Sequence, residues 1–290
     1  MTPLLKLVIP KGRLQEKVEG LLARIGLHLT YSSRSYRPVC SDPAIEIKLL
    51  KPQNIPALIA LGRHDAGFSG LDWVIEQGLE THDNLREVMD LGFNRVRIVA
   101  AVPETLAVDE AYRKRRIIVA TEYPVIAQRY LDAQKLDAVL IKSYGATEAL
   151  PPEDADMIID NTSTGSTLAM NRLAIVDELL SSTTRLLASG EALDDPARAG
   201  KLAEIRMLIQ SVLNADKKVL LEMNVGAAQL EALVSNLPCM RAPTVSPLHD
   251  GAGYAVKVAV SAAEAPRLIP QLVKLGASDI LEYRLAKIVP

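Results

Sequence analysis

Residues 156 to 171 read DMIIDNTSTGSTLAMN, and their types and spacing could do chemistry. After Asn161, every position from Thr162 to Thr167 carries a hydroxyl or is glycine. The apolar residues before Asp160 read as the end of a strand, and those after Thr167 as a helix. At such a junction the first backbone N–H groups lack helical partners, and the helix dipole favours an anion. Ser163, Thr164, Ser166 and Thr167 would add hydroxyl donors, while Gly165 would let the backbone approach closely. Asp160 would repel a phosphate, but it could accept hydrogen bonds from two adjacent sugar hydroxyls. The combination suits a ribose 5-phosphate. Runs of Ser, Thr and Gly also cap helices and fill loops, so spacing alone leaves both readings open.

Three further loops have polar residues in similar settings. In IPKGRL, Lys11 and Arg13 flank Gly12 directly after an apolar run, an arrangement suited to a diphosphate. In KSYGATE, Gly145 makes a turn and Glu148 sits near a helix start, as a dipole partner or as a second contact to a sugar. In DAGFSGLD, Asp65 and Asp72 bracket a strand and turn as possible ligand contacts. Each of these has an ordinary reading as solvated surface.

The elements that would position these loops alternate. LLKLVIP, AIEIKLL, DAGFSG, VRIVAAVP, RIIVAT, AVLIK and ADMIID read as strands. Helical patterns lie between several of them, including Leu14, Val18, Leu21, Leu22 and Ile25 on one face and VIAQRYLDAQ. Leu168 to Leu187 reads as one long helix. Such alternation predicts an α/β fold with mainly parallel sheets, whose ligands sit where strands end and helices begin. After the polar stretch SGEALDDPARAG comes an amphipathic helix carrying Leu202, Ile205, Leu208, Ile209, Val212 and Leu213. From Lys217 the order becomes βαββαβ, the ferredoxin-like unit.

A chain of 290 residues, 49% hydrophobic, suits two or three compact units. Its net charge of −2 argues against nucleic acid or a membrane surface as partner. No apolar run approaches a membrane span, and the N-terminal segment is charged too early for a signal peptide, so a cytoplasmic location is expected. Cys40 and Cys239 read as reduced thiols, and the scattered His28, His64, His82 and His249 suggest neither a zinc site nor a triad.

Taken together, PKGRL, LLKPQNIPALIALGRHDAGFSGLD, DLGFNRVRIVAAVPE, GATEALPPEDADMIIDNTSTGSTLAMNRL and LPCMRAPTVSPL with KLGASDILEYRLAKIVP follow one another in an order and spacing that resembles the long form of ATP phosphoribosyltransferase. The strongest element is the D-x-x-S-T-G-x-T-L block from Asp160 to Leu168, similar to that family's phosphoribosyl-diphosphate (PRPP) motif. The resemblance implies a two-lobed catalytic part like a type II periplasmic binding protein, with residues 1–91 and 181–214 in one lobe and 92–180 in the other. It also implies a C-terminal ferredoxin-like regulatory domain over 217–290.

By the same resemblance, N1 of ATP attacks the anomeric carbon of PRPP and expels pyrophosphate, with Mg²⁺ on the diphosphate. Lys11, Arg13 and Glu148 would serve catalysis, Asp160 and Ser163 through Thr167 would bind PRPP, and Gly70, Asp72 and Tyr123 would bind ATP. L-histidine would inhibit from a pocket at Glu222, Met240, Thr244 and Ala277, in a homo-oligomer built from dimers to a hexamer. Departures from the family pattern fall at Glu122 and Gln128, where a Lys or Ser and a base are usual. They also include GFSG at 67–70, together with Asn161 and Thr162. They make one side of the cleft less positive, and they motivate a second reading as a catalytically weak nucleotide-binding sensor.

Overall fold

A computed structural model describes residues 4–32, 35–106, 112, 114–238 and 242–289. It divides into two compact units, Met1–Gly20 with Leu27–Leu202 and Leu21–Gly26 with Ala203–Pro290.

The first unit opens with β1 (Leu5–Pro10) and α1 (Gln15–Arg24), then the short pair β2 (Leu29–Thr30) and β3 (Val39–Cys40). β4 (Ile45–Leu50), α2 (Ile55–Ala60), β5 (Ala66–Gly70), α3 (Leu71–Glu76) and β6 (Leu85–Asp90) complete the first pass through one sheet. The chain then builds a second sheet from β7 (Val96–Pro103), β8 (Ile117–Thr121), α4 (Pro124–Gln134), β9 (Ala138–Lys142), β10 (Met157–Thr162), α5 (Ser166–Met170) and β11 (Leu173–Ser182). It returns to the first sheet as β12 (Thr184–Ser189), followed by α6 (Gly190–Asp194) and by α7 (Pro196–Ala215), whose residues from Ala203 onward belong to the second unit.

The two sheets have the same plan. The first is ordered β4-β1-β5-β12-β6, and the second, read from its other edge, β9-β8-β10-β7-β11. In each, the first three strands are parallel, the fourth runs against both neighbours, and that reversed strand has just arrived from the other sheet. This is the two-lobed arrangement of a type II periplasmic binding protein, crossed between β6 and β7 and again at Thr183. Its topology makes β1 the counterpart of β8, and β5 the counterpart of β10.

The helix expected over Leu168–Leu187 is not formed. A five-residue helix is followed by two strands. The sequence is misleading because β11 carries register shifts between Ile175 and Asp177 and between Glu178 and Leu180. These irregularities erase the two-residue alternation that marks a strand, leaving an apolar spacing that resembles a helical face. Pairing with β7 on one sheet and with β5 and β6 on the other overrides the local preference. β6, absent from the sequence reading, pairs only with β12 and is partly exposed.

Packing follows the strands. Ile98, Ile117, Val119 and Ile159 form a core on one face of the second sheet with Ile126, Ala127 and Leu131 of α4. Trp73 and Ile75 of α3 pack against this same cluster, although α3 leaves the first sheet.

In the second unit, β13 (Lys218–Val225), α8 (Leu230–Ser235), β14 (Thr244–Pro247), β15 (Tyr254–Ser261), α9 (Ala265–Lys274) and β16 (Ala277–Arg284) give the order β14-β15-β13-β16. All of its pairings are antiparallel, so the expected ferredoxin-like unit is formed. Strict alternation along β13 sends Val219, Leu221, Met223 and Val225 into a core with Leu233, Leu268 and Leu272. Leu221→Ala should therefore cost about 2–5 kcal/mol, the usual penalty for a cavity at a fully buried leucine. Urea denaturation checks this, and an unchanged midpoint would contradict the core assignment.

Candidate active site

The loops that leave β1, β5, β8 and β10 line two cavities in the first unit. One, of about 310 Å³, is lined by Arg13, Glu122, Gly145, Glu148, Asp160 and the loop from Asn161 to Thr164, with Ser166 and Thr167. The other, of about 180 Å³, is lined by Leu14, Pro52, Gly70, Asp72, Trp73 and Tyr123, among others. Arg13, Glu122 and Asn161 line both, so the cavities meet at these residues.

The hydroxyl loop of the first cavity is internally bonded. Gly165 has φ +83°, a left-handed conformation that only glycine adopts without strain, and its N–H donates to Thr162 Oγ1 at 3.0 Å. Thr164 Oγ1 and Ser166 Oγ lie 2.9 Å apart. Leu168 is buried and anchors the loop, while Ser163, Thr164, Ser166 and Thr167 are exposed.

Asp160 stands at the base of this cavity, accepting from the Asn161 N–H at 2.7 Å. Burial lifts its carboxyl from 3.8 to about 6, opposed by a hydrogen bond from Thr147 and by that backbone N–H, and reinforced by the Glu122 and Glu148 charges. Thr147 is itself buried and shares a 2.7 Å hydrogen bond with Ser143.

Around the second cavity, polar side chains are committed to one another. Asp72 is 4% exposed and accepts from Ser182 Oγ at 2.6 Å and from Tyr123 OH at 3.0 Å. Asn161 Nδ2 donates to the same Tyr123 oxygen at 3.1 Å. Burial pushes the Asp72 carboxyl up, and it raises the Tyr123 phenol as well, with the Asp72 charge adding to the effect. Tyr123 is 1% exposed and stacks on Trp73 at 4.6 Å. Gly70 is required here for space, since a Cβ would collide with Asp72 Oδ1. Glu76 accepts from the Val125 and Ile126 N–H groups, capping α4 from the other lobe, and burial raises its carboxyl.

The structure thus brings Arg13, Glu148, Asp160, Ser163, Thr164, Ser166 and Thr167 around one cavity, and Gly70, Asp72 and Tyr123 around the next. It does not bring Lys11 there. That ammonium donates to Tyr36 OH at 3.0 Å and lies over its ring. Asp65 instead accepts from the Lys6 N–H and pairs with Arg198 at 2.9 Å, a structural role. Gln128 bonds Asp132 on the exposed side of α4 and lines neither cavity.

Trp73, Asn161 and Ser182 are participants that the sequence reading passed over as ligand or support residues. Only the position of Trp73 beside Asp72 could have signalled one of them. Among the described residues no cluster of three or more His, Cys, Asp or Glu could hold a metal ion, and Cys40 is free and buried. Cys239 lies outside the described residues.

In the second unit, Thr244, Lys257 and Glu222 form a row across β14, β15 and β13, with Lys257 paired to Glu222 at 3.0 Å. Ala277 is 6% exposed and belongs to the core on the helix-covered face, so it does not join them. Directly paired residues share a face, whereas Ala277 pairs with the inward Val225. Met240 lies outside the described residues.

Fold and site define a two-lobed cleft protein with two adjoining cavities, one lined by hydroxyls and carboxylates and the other by Trp73, Tyr123 and Asp72. The family model described as ATP phosphoribosyltransferase matches residues 51–212, and that of the HisG C-terminal domain matches 215–287. An ATP phosphoribosyltransferase of Chlorobium phaeovibrioides is 38% identical over 98% of this chain and 97% of its own. One of Desulforudis audaxviator is 39% identical over 99% of each. The structure of the ATP phosphoribosyl transferase (HisG:HisZ) complex from Thermotoga maritima matches with a TM-score of 0.62 at 28% identity, covering 71% of this chain and 98% of that one. The chain belongs to the ATP phosphoribosyltransferase family.

The Asp160 shift has a thermodynamic consequence. Its folded value lies above its ordinary one, so the native state binds more protons between 3.8 and about 6, and stability falls as pH rises through that window. Asp160→Asn removes the penalty. The variant should match the wild type near pH 4 and exceed it at pH 7–8 by an amount on the order of 2 kcal/mol, read from denaturation midpoints. A constant difference across pH would refute this.

Proposed function

We propose that the cleft transfers the 5-phosphoribosyl group of PRPP to N1 of ATP with release of pyrophosphate. The observation that carries this reading is the meeting of the two cavities at Arg13, Glu122 and Asn161, which lets two anionic substrates face each other. In this reading Asp160 accepts the ribose hydroxyls and Glu148 adds a contact to the sugar. Ser163 through Thr167 hold the 5-phosphate with hydroxyls and N–H groups. Arg13 meets the departing diphosphate, where its charge is needed most in a dissociative displacement. Lys11 would assist only after leaving Tyr36. Gly70, Asp72 and Tyr123 shape the wall for the nucleotide from behind, since Asp72 and Tyr123 are almost wholly buried and Trp73 is the more exposed ring.

Positioning is the main device, and no covalent nucleophile is needed. Mg²⁺ would enter with the substrate diphosphate. Whereas the compact units divide at Leu202, the two lobes would be 1–91 with 181–214 and 92–180, and the regulatory domain 217–290. The last would carry inhibition by L-histidine, with Thr244 and Glu222 on one open sheet face as its nearest candidates. A homo-oligomer, dimer to hexamer, in the cytoplasm completes the proposal; among the described residues no helix is long and apolar enough to cross a membrane. The reading as a weak sensor is not favoured, because a pure sensor has no use for a diphosphate exit at Arg13.

Purified protein given ATP, PRPP and Mg²⁺ should release pyrophosphate only when both substrates are present, and L-histidine should suppress the release. Release from either substrate alone would exclude this transfer, and indifference to histidine would remove the regulatory role. Thr164→Val deletes a hydroxyl while keeping its volume, so PRPP binding measured by calorimetry should weaken by about 1.5–3 kcal/mol. Unchanged affinity would take Thr164 out of the phosphate site.

A further inference from the structure

We propose that Glu122 reads the 6-amino group of the adenine and takes its proton as N1 is alkylated. The proposal rests on the PRPP-to-ATP transfer above and assigns it a specificity-determining acceptor and a base. Glu122 is the carboxylate common to both cavities, one lined by the ribose and phosphate residues and the other by Trp73 and Tyr123. A bond between N1 and the anomeric carbon must form where these cavities meet. The exocyclic N6 is attached to the carbon next to N1, so it necessarily arrives at the same junction.

The placement of Glu122 is built into the fold. It follows β8 in a turn held by the Tyr123 N–H donating to Thr121 Oγ1 at 2.8 Å. Its Oε1 reaches toward Gly145, where a Cβ would lie 3.9 Å away. Among the described residues no donor or cation is bonded to this carboxylate. It also stands near enough to Asp160 and Glu148 to raise the Asp160 carboxyl. This half-buried carboxylate has no structural partner among the described residues, so packing does not account for its position.

The chemistry balances. The N1 lone pair forms the N1–C1 bond, and the C1–O bond breaks with its electron pair leaving on pyrophosphate. The ring is left with a positive charge shared between N1 and N6, which acidifies N6–H. Glu122 accepts that proton, leaving a neutral 6-imino product and a neutral carboxylic acid. Before transfer the same carboxylate accepts a hydrogen bond from the 6-amino group, which a purine ring with hydrogen at C6 lacks while keeping its N1 lone pair.

The test compares pyrophosphate release with ATP and with purine riboside 5′-triphosphate, which keeps the N1 lone pair and lacks the 6-amino group, in the wild type, Glu122→Gln and Glu122→Ala, with urea denaturation confirming that each variant is folded. Wild type should prefer ATP. Both variants should lose about 100-fold in kcat with ATP, in the range of a lost acid–base group. The ratio of kcat/KM between ATP and the analogue should narrow by about tenfold in Glu122→Ala, which keeps no acceptor for the 6-amino group, and less in Glu122→Gln, whose amide oxygen can still accept from it. Normal kcat in Glu122→Gln, or an unchanged ratio in both variants, would overturn the assignment of Glu122 while leaving the reaction intact. Absence of release by the wild type would remove the reaction itself, and with it this role.

Discussion

A buried carboxylate ties the catalytic part together. Asp72 leaves the first sheet on α3, bonds Ser182 at the point where the chain returns between lobes, and receives the Tyr123 hydroxyl from the second lobe. An ionisable group at 4% exposure is costly unless it is well bonded, and its raised proton affinity reflects that cost. The surrounding features follow from accommodating it. Gly70 leaves room for its oxygen, Trp73 stacks on the tyrosine it holds, and Asn161 extends the network to the residue beside Asp160.

This tie makes sense of the shared plan of the two sheets. Each lobe receives a reversed strand from the other, so the passages between β6 and β7 and between β11 and β12 lie at the heart of the sheets. The loops after corresponding strands then face one cleft, β1 across from β8 and β5 across from β10. Arg13 and Glu122 therefore occupy equivalent loops in the two halves, one cationic and one anionic, and both reach the junction of the cavities. Opposite charges in equivalent positions suit a reaction in which negative charge leaves on one substrate and positive charge develops on the other.

The cleft carries like charge as well as opposite charge. Asp160, Glu122 and Glu148 gather around one cavity, and the Asp160 carboxyl is raised chiefly by burial, with the two glutamate charges adding to it. Sites of this kind give up stability for function, because the groups are placed for a substrate that brings its own hydroxyls, charges and protons.

Much of this was legible in the chain. The run from Asp160 to Thr167 marks its own chemistry by residue type, and Gly165 announces a turn because few other residues tolerate φ +83°. The strict alternation of β13 and the βαββαβ order identify the ferredoxin-like unit, since a half-buried strand in a small sheet has only one face to hide. Other features could not be read. The bulged β11 mimicked a helix because its pairing partner, not its own periodicity, holds it extended. Lys11 looked like a partner for Arg13 until Tyr36, far along the chain, was seen to hold it. Thr244 and Ala277 looked like one pocket, yet register places them on opposite faces of the sheet. Local residue chemistry is written position by position in the sequence, whereas strand register, buried hydrogen bonds and the meeting of two cavities depend on contacts between distant segments, which only the folded chain decides.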